Sequence, residues 1–180
     1  MGDPEFILLG DAVWIDFINT ARDRVTAVTD RLVDAPAYHR WTKAEKIASD
    51  ADNIPFTDVM ALRLTLLGLA EALAAGRQTP SSCIQDINRI LATATGHHQL
   101  TRVRGEWRLR FAPSHAPTAT DAIVRSAAKT LADPSAHVRQ CAAPTCSLYF
   151  VDSTPGHVRR WCSDETCGQP VLVERRRAVR

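Results

Sequence analysis

Four of the five cysteines in this 180-residue chain lie within 27 residues, and this cluster constrains the fold more than any other feature. They form two pairs with the same internal spacing of four residues, and fifteen residues separate the pairs: Cys141 and Cys146, then Cys162 and Cys167. Two such pairs joined by a loop can wrap one tetrahedral ion, and zinc binds four thiolates at about 2.3 Å. We therefore predict one structural zinc ion held by these four cysteines.

Cysteines can also form disulfides or hold other metals. Disulfides are disfavoured because the chain has no signal-peptide apolar region and is expected to be cytoplasmic, where thiols remain reduced. An iron–sulfur cluster also accepts four cysteines, but the symmetric pairing favours zinc. His157, between the pairs, could replace one cysteine, although we interpret it as an exposed loop residue. Cys83 is expected to be a small buried apolar residue and not a fifth ligand.

The composition is that of an ordinary globular protein, with 45% hydrophobic and 23% charged residues. A chain of 180 residues suits one domain followed by a small module. We predict a first domain at residues 7–134 and a zinc module at residues 137–180, with Pro134 and Ser135 in the linker. No apolar run approaches the roughly 18 residues of a membrane span, so we expect no membrane partner.

The zinc module is predicted to be a β-hairpin closed by a helix. Residues 148–151 are apolar and form a short strand, and residues 152–156 are rich in turn-forming residues. Residues 158–161 are expected to return as the second strand. A helix over about residues 168–180 then follows the second cysteine pair, with Pro170 in its first turn.

The first domain is predicted to be mainly helical with one β-hairpin, which places the whole chain in the α+β class. Trp14, Phe17 and Ile18 recur at helical spacing and indicate a short first helix. Longer helices are expected at residues 56–75, 81–95 and 120–132. Residues 30–37 are expected to be extended, because Pro36 would interrupt a helix there.

The hairpin of this domain is predicted at residues 100–111, where apolar residues alternate with arginines. One face is expected to carry the apolar residues Leu100, Val103, Trp107, Leu109 and Phe111. The other is expected to carry the arginines Arg102, Arg104, Arg108 and Arg110. This arginine face either extends a nucleic-acid-binding surface or faces solvent.

Asp16 and Asn19 lie one turn apart on the predicted first helix and therefore share a face. Such a pair can bind a polar ligand, or it can form a buried network that tethers neighbouring backbone, which is the interpretation we favour. His97 and His98 are adjacent, so in a strand they face opposite ways and are not expected to share a metal ion.

Both ends of the chain resemble known families. The runs CAAPTC and YFVD, within residues 141–152, and RRWCS with TCG, within residues 159–168, resemble the CGNR zinc-finger family. The run LLGDAVWIDFINT, at residues 8–20, is similar to the start of the ABATE domain that precedes this finger. The resemblance implies a transcription regulator. Gln169 and Pro170 stand where the family has Asn and Arg, so base-specific reading by the finger is expected to be weaker here.

The zinc module is richer in positive charge than the rest of the chain. Residues 137–180 contain seven arginines, no lysine and four acidic residues, whereas the preceding residues carry 15 basic and 16 acidic residues. The arginines predicted to contact DNA are Arg159, Arg160, Arg175, Arg176 and Arg177. A guanidinium binds phosphate bidentately, which favours DNA as the partner. The alternatives are a solvated helix end, where cations match the helix dipole, and a protein contact.

We predict a DNA-binding transcription regulator whose N-terminal domain senses a small-molecule effector or a protein partner. The alternative is a zinc-stapled protein-interaction or small-molecule-binding protein that does not bind DNA. The sequence contains no Ser–His–Asp order, phosphate-binding glycine loop or paired catalytic carboxylates with suitable context, so we do not expect an enzyme.

Overall fold

The computed structural model describes residues 5–24, 30–47 and 54–178, with side chains as far as residue 173. This part of the chain contains six α-helices and two antiparallel strand pairs, which confirms the predicted α+β class. The helices are α1 (Val13–Asn19), α2 (Ala35–Ala44), α3 (Phe56–Ala74), α4 (Ser81–Leu91), α5 (Ala119–Ala132) and α6 (Gln169–Ala178). The strands are β1 (Gly96–Val103), β2 (Glu106–Pro113), β3 (His137–Gln140) and β4 (Tyr149–Asp152). None of the described helices is long and apolar enough to cross a membrane.

The first helix, α1, lies at the centre of the main core. Its large apolar residues are fully buried: Trp14, Ile15, Phe17 and Ile18. It packs against α3 and α5, and Trp14 Nε1 donates a hydrogen bond to Thr130 Oγ1 at 2.9 Å. A helix that is buried on all sides carries apolar residues on every face, and this is why α1 holds its neighbours together.

The second helix corrects the expectation that residues 30–37 are extended. Asp34 caps α2 by accepting a hydrogen bond from the Ala37 N–H at 2.7 Å. Pro36 lies in the first turn, where a helix does not use its N–H groups. Pro36 therefore helps α2 to begin, and the helix brings the fully buried Trp41 into the core.

The predicted hairpin of the first domain is present as β1 and β2. Leu100 lies opposite Leu109, and Arg102 lies opposite Trp107. Directly opposed residues share a face, so Arg102 lies on the apolar face, whereas Val103 lies on the other. The predicted faces were wrong for these two residues, because side chains alternate with a period of two along a strand.

The zinc module contains a different hairpin from the predicted one. β3 pairs with β4, and Val138 lies opposite Val151, while residues 158–161 form no strand. The buried Asp152 carboxylate accepts hydrogen bonds from the backbone N–H of Thr154 at 3.0 Å and of Arg159 at 3.2 Å. It thereby turns the chain back towards the cysteines, and one N–H that a returning strand would use is already bound.

The first domain and the zinc module share their interior. Tyr149 and Val151 of β4 belong to the main core around α1 and α3. Ile7, from the segment before α1, instead packs with the four cysteines. The boundaries at residues 7–134 and 137–180 stay a prediction, and apolar packing is continuous across them.

Candidate metal centre

The four clustered cysteines converge on one point. Their Sγ atoms all lie within 4.8 Å of one another, with 3.8 Å between Cys146 and Cys162 and 3.6 Å between Cys162 and Cys167. All four side chains are buried, and none forms a disulfide. Ligands at about 2.3 Å from a tetrahedral centre lie about 3.8 Å apart. The sulfurs therefore fit one zinc ion.

The cysteine thiols of this cluster shift one another's pKa values, so that one thiolate is favoured at the expense of its neighbours. Hydrogen bonds from the Cys146 and Cys162 thiols lower the pKa of Cys141. The same shared bonds raise the pKa values of Cys146 and Cys162. A divalent cation removes the competition because it stabilises every thiolate at once. Four closely spaced thiolates are therefore a donor set suited to one divalent cation.

The site is closed, which is typical of structural zinc. Four protein ligands fill a tetrahedral shell and leave no position for a reactive water. His157 does not join them; its ring lies against that of His137, with 3.7 Å between the centroids and 39° between the ring planes. Cys83 is buried on α4, where its Sγ lies 3.6 Å from the Thr65 carbonyl oxygen.

Local turns present each cysteine pair. In the first pair, the Cys146 N–H donates to the Ala143 carbonyl at 3.0 Å, closing a turn that contains Pro144. In the second, the Cys167 N–H donates to the Ser163 carbonyl at 3.0 Å. A short π-helical turn, Asp164–Gly168, then leads into α6. Leu148 and Phe150, both fully buried, supply apolar cover for the sulfurs.

The start of α6 packs against an aromatic ring. A Cβ atom on Gly168 would lie 2.9 Å from Trp161 Cε3, which is closer than atoms can approach. Glycine after Cys167 therefore lets the Trp161 ring approach the backbone closely beside the metal site. Gln169 and Pro170 follow as exposed residues in the first turn of α6.

Arg159 is held inside the zinc module. Its Nε donates to the Trp161 carbonyl at 3.0 Å and an Nη donates to the Cys162 carbonyl at 2.7 Å. The guanidinium lies 4.4 Å from the centroid of the Phe150 ring and also pairs with Asp11. Arg159 thus braces the second cysteine pair against the segment that precedes α1.

The other predicted arginines differ in position. Arg160 is exposed, and its guanidinium lies 5.3 Å from the Trp161 ring centroid. Arg175, Arg176 and Arg177 belong to the backbone of α6, and their side chains lie outside the described residues. Arg160 and the α6 arginines consequently remain the candidates for contact with a partner.

Asn19 joins the first domain to the zinc module. Its Nδ2 donates to the Tyr149 carbonyl at 2.9 Å, and its Oδ1 accepts from the Tyr149 N–H at 2.9 Å. Two residues along β4, the Val151 N–H donates to the Gly10 carbonyl at 2.9 Å. The edge of β4 that faces away from β3 is therefore completed by groups from the first domain.

Asp16 supports the same edge of β4 indirectly, through Gly10. Its Oδ1 accepts a hydrogen bond from the Gly10 N–H at 2.8 Å, and the Gly10 carbonyl binds β4. A Cβ on Gly10 would lie 2.4 Å from Ile15 Cγ2, so the close approach requires glycine. Asp16 and Asn19 thus both contact backbone groups that link α1 to β4.

Burial raises the pKa of Asp16 to about 7, with a smaller contribution from the charge of Glu45. In the unfolded chain an aspartate has a pKa of about 3.9, so the folded state binds the proton more tightly. The contribution of Asp16 to stability should therefore fall as the pH rises from about 4 to about 7. Burial also raises the pKa of the less buried Glu45 to about 7, which adds a weaker effect of the same sign.

Asp16→Asn should remove most of this pH dependence, because the amide keeps the oxygen that binds Gly10 and carries no charge. We expect the variant to exceed the wild type in stability at pH 8 by on the order of 2–4 kcal/mol, and to match it near pH 4. Urea unfolding at several pH values measures this difference. Glu45→Gln serves as the control, with a smaller effect. An Asp16→Asn variant with the wild-type pH profile would contradict the assignment.

The sequence did not reveal two further long-range links. The Ser147 hydroxyl accepts from the Asp23 N–H at 3.1 Å and donates to the Asp23 carbonyl at 3.0 Å, next to the first cysteine pair. Arg63, only 6% exposed, donates to Thr20 Oγ1 at 2.9 Å and to Asp30 Oδ1 at 2.8 Å. For the Arg63 link, the sequence contained one indication: an arginine lies within the apolar stripe of the long helix α3 and would need a polar partner there.

Comparison with known proteins assigns both parts of the chain. Residues 11–134 match the model of the ABATE family, whose description reads "Putative stress-induced transcription regulator". Residues 137–180 match the CGNR zinc finger. No curated protein matches the chain. The two matches confirm the resemblance and, with the four converging sulfurs, establish one structural zinc site.

Proposed function

Because the chain belongs to the ABATE family and carries a CGNR zinc finger after that domain, we propose that it is a transcription regulator that binds DNA. The zinc module contacts the phosphate backbone through arginines. The N-terminal domain responds to a small-molecule effector or a protein partner, and the protein has no enzymatic activity.

The observation that carries this proposal is the placement of cations next to a rigid metal centre. Arg160 is exposed two residues before the ligand Cys162. α6 follows the second cysteine pair directly and bears three consecutive arginines, residues 175–177. Since the metal fixes the start of α6, this segment loses less conformational entropy when the protein binds DNA. Arg159 contributes indirectly: its guanidinium is bound within the module and holds the segment that carries Trp161 and Cys162 in place.

The shared interior supports a sensing role for the first domain. A cavity of about 320 Å³ lies among α3, α4 and α5, with Leu62, Ile90 and Asp58 in its wall. It offers an effector an apolar surface and two carboxylates, those of Asp58 and Asp121. Because α3 also packs against β3, a ligand that shifts α3 would move the zinc module as well.

Replacing Arg175, Arg176 and Arg177 together with alanine should weaken DNA binding by a similar factor on every duplex. Each lost phosphate contact should also flatten the slope of log affinity against log salt by about 1. Electrophoretic mobility shifts over a salt series measure both effects. Zinc content and melting temperature should stay at their wild-type values.

The matched control removes three arginines outside the module: Arg40, Arg77 and Arg89. It lowers the net charge of the chain equally, so a comparable loss of binding would mean that charge alone matters. If the α6 variant bound like the wild type, with the same salt slope, α6 would not be part of the DNA-binding surface. Absence of binding by the wild type at low salt would favour the protein-interaction alternative.

A further inference from the structure

The β1–β2 hairpin extends away from the core. Its two strands pair only with each other in the described part of the chain, and every residue from Arg104 to Arg110 is exposed. The turn uses Arg104 and Gly105, both with positive φ (51° and 88°), which is the two-residue turn that keeps a hairpin tightly twisted. The hairpin therefore projects from the fold, and its exposed residues are not part of the apolar core.

The two faces of this projection differ in chemistry. One carries Leu100, Trp107 and Leu109, each 64–66% exposed. The register places Gln99 opposite Arg110 and Thr101 opposite Arg108 on the other face. This second set, Gln99, Thr101, Arg108 and Arg110, is called the polar face below. It combines amide, hydroxyl and guanidinium groups on neighbouring positions.

Charge on the hairpin is strongly one-sided. Arg102, Arg104, Arg108 and Arg110 are all exposed, and Glu106 is the single acidic residue between Gly96 and Pro113. Glu106 pairs with Arg108 at 3.1 Å, but both side chains are more than half exposed, and such pairs contribute little. A polyanion is consequently the partner whose charge complements this surface.

The dimensions agree with a DNA groove. Each strand has eight residues, which corresponds to about 26 Å at about 3.3 Å per residue. A major groove about 12 Å wide admits a two-stranded β-ribbon, and ribbons of this kind read bases with side chains from one face. Arginine suits guanine and glutamine suits adenine, so the polar face presents the donors and acceptors that base edges require.

A second copy of the chain explains the surface less well. The three exposed apolar residues offer a few hundred Å², whereas a stable interface buries about 800 Å² on each partner. The arginines of two symmetry-related hairpins would also approach one another and repel.

We propose that the β1–β2 hairpin enters the major groove of duplex DNA and reads base edges with its polar face, while Arg102 and Arg104 near the turn contact phosphates. This inference rests on the proposed DNA-binding function and adds to it a second contact outside the zinc module. Sequence preference comes from the hairpin, and the zinc module supplies sequence-independent affinity.

The test compares two faces of the same hairpin in the full-length, zinc-loaded protein. A duplex selected by the wild type from a randomised pool is used beside a random-sequence duplex. The double variant Gln99→Ala, Arg110→Gln should lose about tenfold or more in affinity for the selected duplex and much less for the random one. Leu109→Ser, on the opposite face, should bind both duplexes like the wild type. Because all three residues are exposed, melting temperature and zinc content should not change.

Several results would overturn the inference. If the double variant retained the wild-type preference, or if the wild type selected no sequence, the hairpin would not read bases, although DNA binding through the zinc module would stand. If the wild type bound no duplex at all, the hairpin inference and the proposed function would fail together. If Leu109→Ser alone weakened binding and lowered the sedimentation coefficient, the hairpin would be an interface between two copies.

Discussion

Cys162→Ser should abolish stoichiometric zinc binding and unfold the zinc module. Cys162 contributes one of the four ligands, is 1% exposed and lies centrally, with its Sγ within 3.8 Å of those of Cys146 and Cys167. Structural zinc supplies about 10–16 kcal/mol to small fingers, which equals or exceeds the roughly 5–15 kcal/mol stability of a whole domain. Losing even half of it leaves the module without enough apolar core to remain folded.

Elemental analysis of the purified variant and its near-ultraviolet circular dichroism measure this result. Cys83→Ser is the matched control, since it removes another buried thiol without touching the cluster; it should keep one zinc per chain. Recovery of iron from the wild type, or of full zinc from Cys162→Ser, would contradict the assignment.

Cys162→Ser should also destabilise the first domain. Ile7 packs with the cysteines, and Tyr149 and Val151 pack in the main core. When the module unfolds, these contacts are lost together, so the melting temperature of the whole chain should fall. A first domain that melts at the wild-type temperature in Cys162→Ser would mean that the two parts fold independently.

Asn19→Ala should have the largest effect among residues outside the cysteine cluster. Asn19 is 1% exposed and its amide satisfies both the N–H and the carbonyl of Tyr149, which is itself 4% exposed. Removing the amide leaves the buried N–H and carbonyl of Tyr149 without a hydrogen-bond partner on that side, and each unsatisfied group costs about 1–3 kcal/mol. We expect a loss of about 2–6 kcal/mol in unfolding free energy, measured by urea denaturation at fixed zinc concentration.

Asn88→Ala is the matched control, because Asn88 is an exposed asparagine on α4 and should change stability by less than about 0.5 kcal/mol. Asn19→Asp keeps the acceptor but loses the donor and buries a charge, so it should be at least as destabilising as Asn19→Ala. Amide hydrogen exchange adds a local readout: the Tyr149 amide should lose protection in both Asn19 variants. Unchanged protection there would show that β4 does not depend on this contact.

Several features of the protein could be predicted from local sequence alone. The cysteine spacing predicted the metal site because each pair is presented by a short turn, closed by one or two backbone hydrogen bonds. The long helix at α3 and the hairpin at β1–β2 followed from apolar periodicity and turn residues, which act over only a few positions. The α+β class follows from the same local patterns.

Other features were decided by tertiary contacts. The strand partner of β4 is β3 and not residues 158–161, because the Asp152 carboxylate binds the Arg159 N–H and turns the chain. Arg159 is held within the structure because Asp11 and Phe150, from distant parts of the sequence, both contact its guanidinium.

The role of Asn19 depends on a residue 130 positions away, Tyr149. Spacing along the chain shows that Asp16 and Asn19 share a face, but it does not show which backbone that face will meet. A hydrogen bond stabilises a fold only when both partners are brought together and withdrawn from water. The sequence by itself therefore determined the metal ligands and the local elements, while the tertiary structure decided how the zinc module is joined to the domain that precedes it.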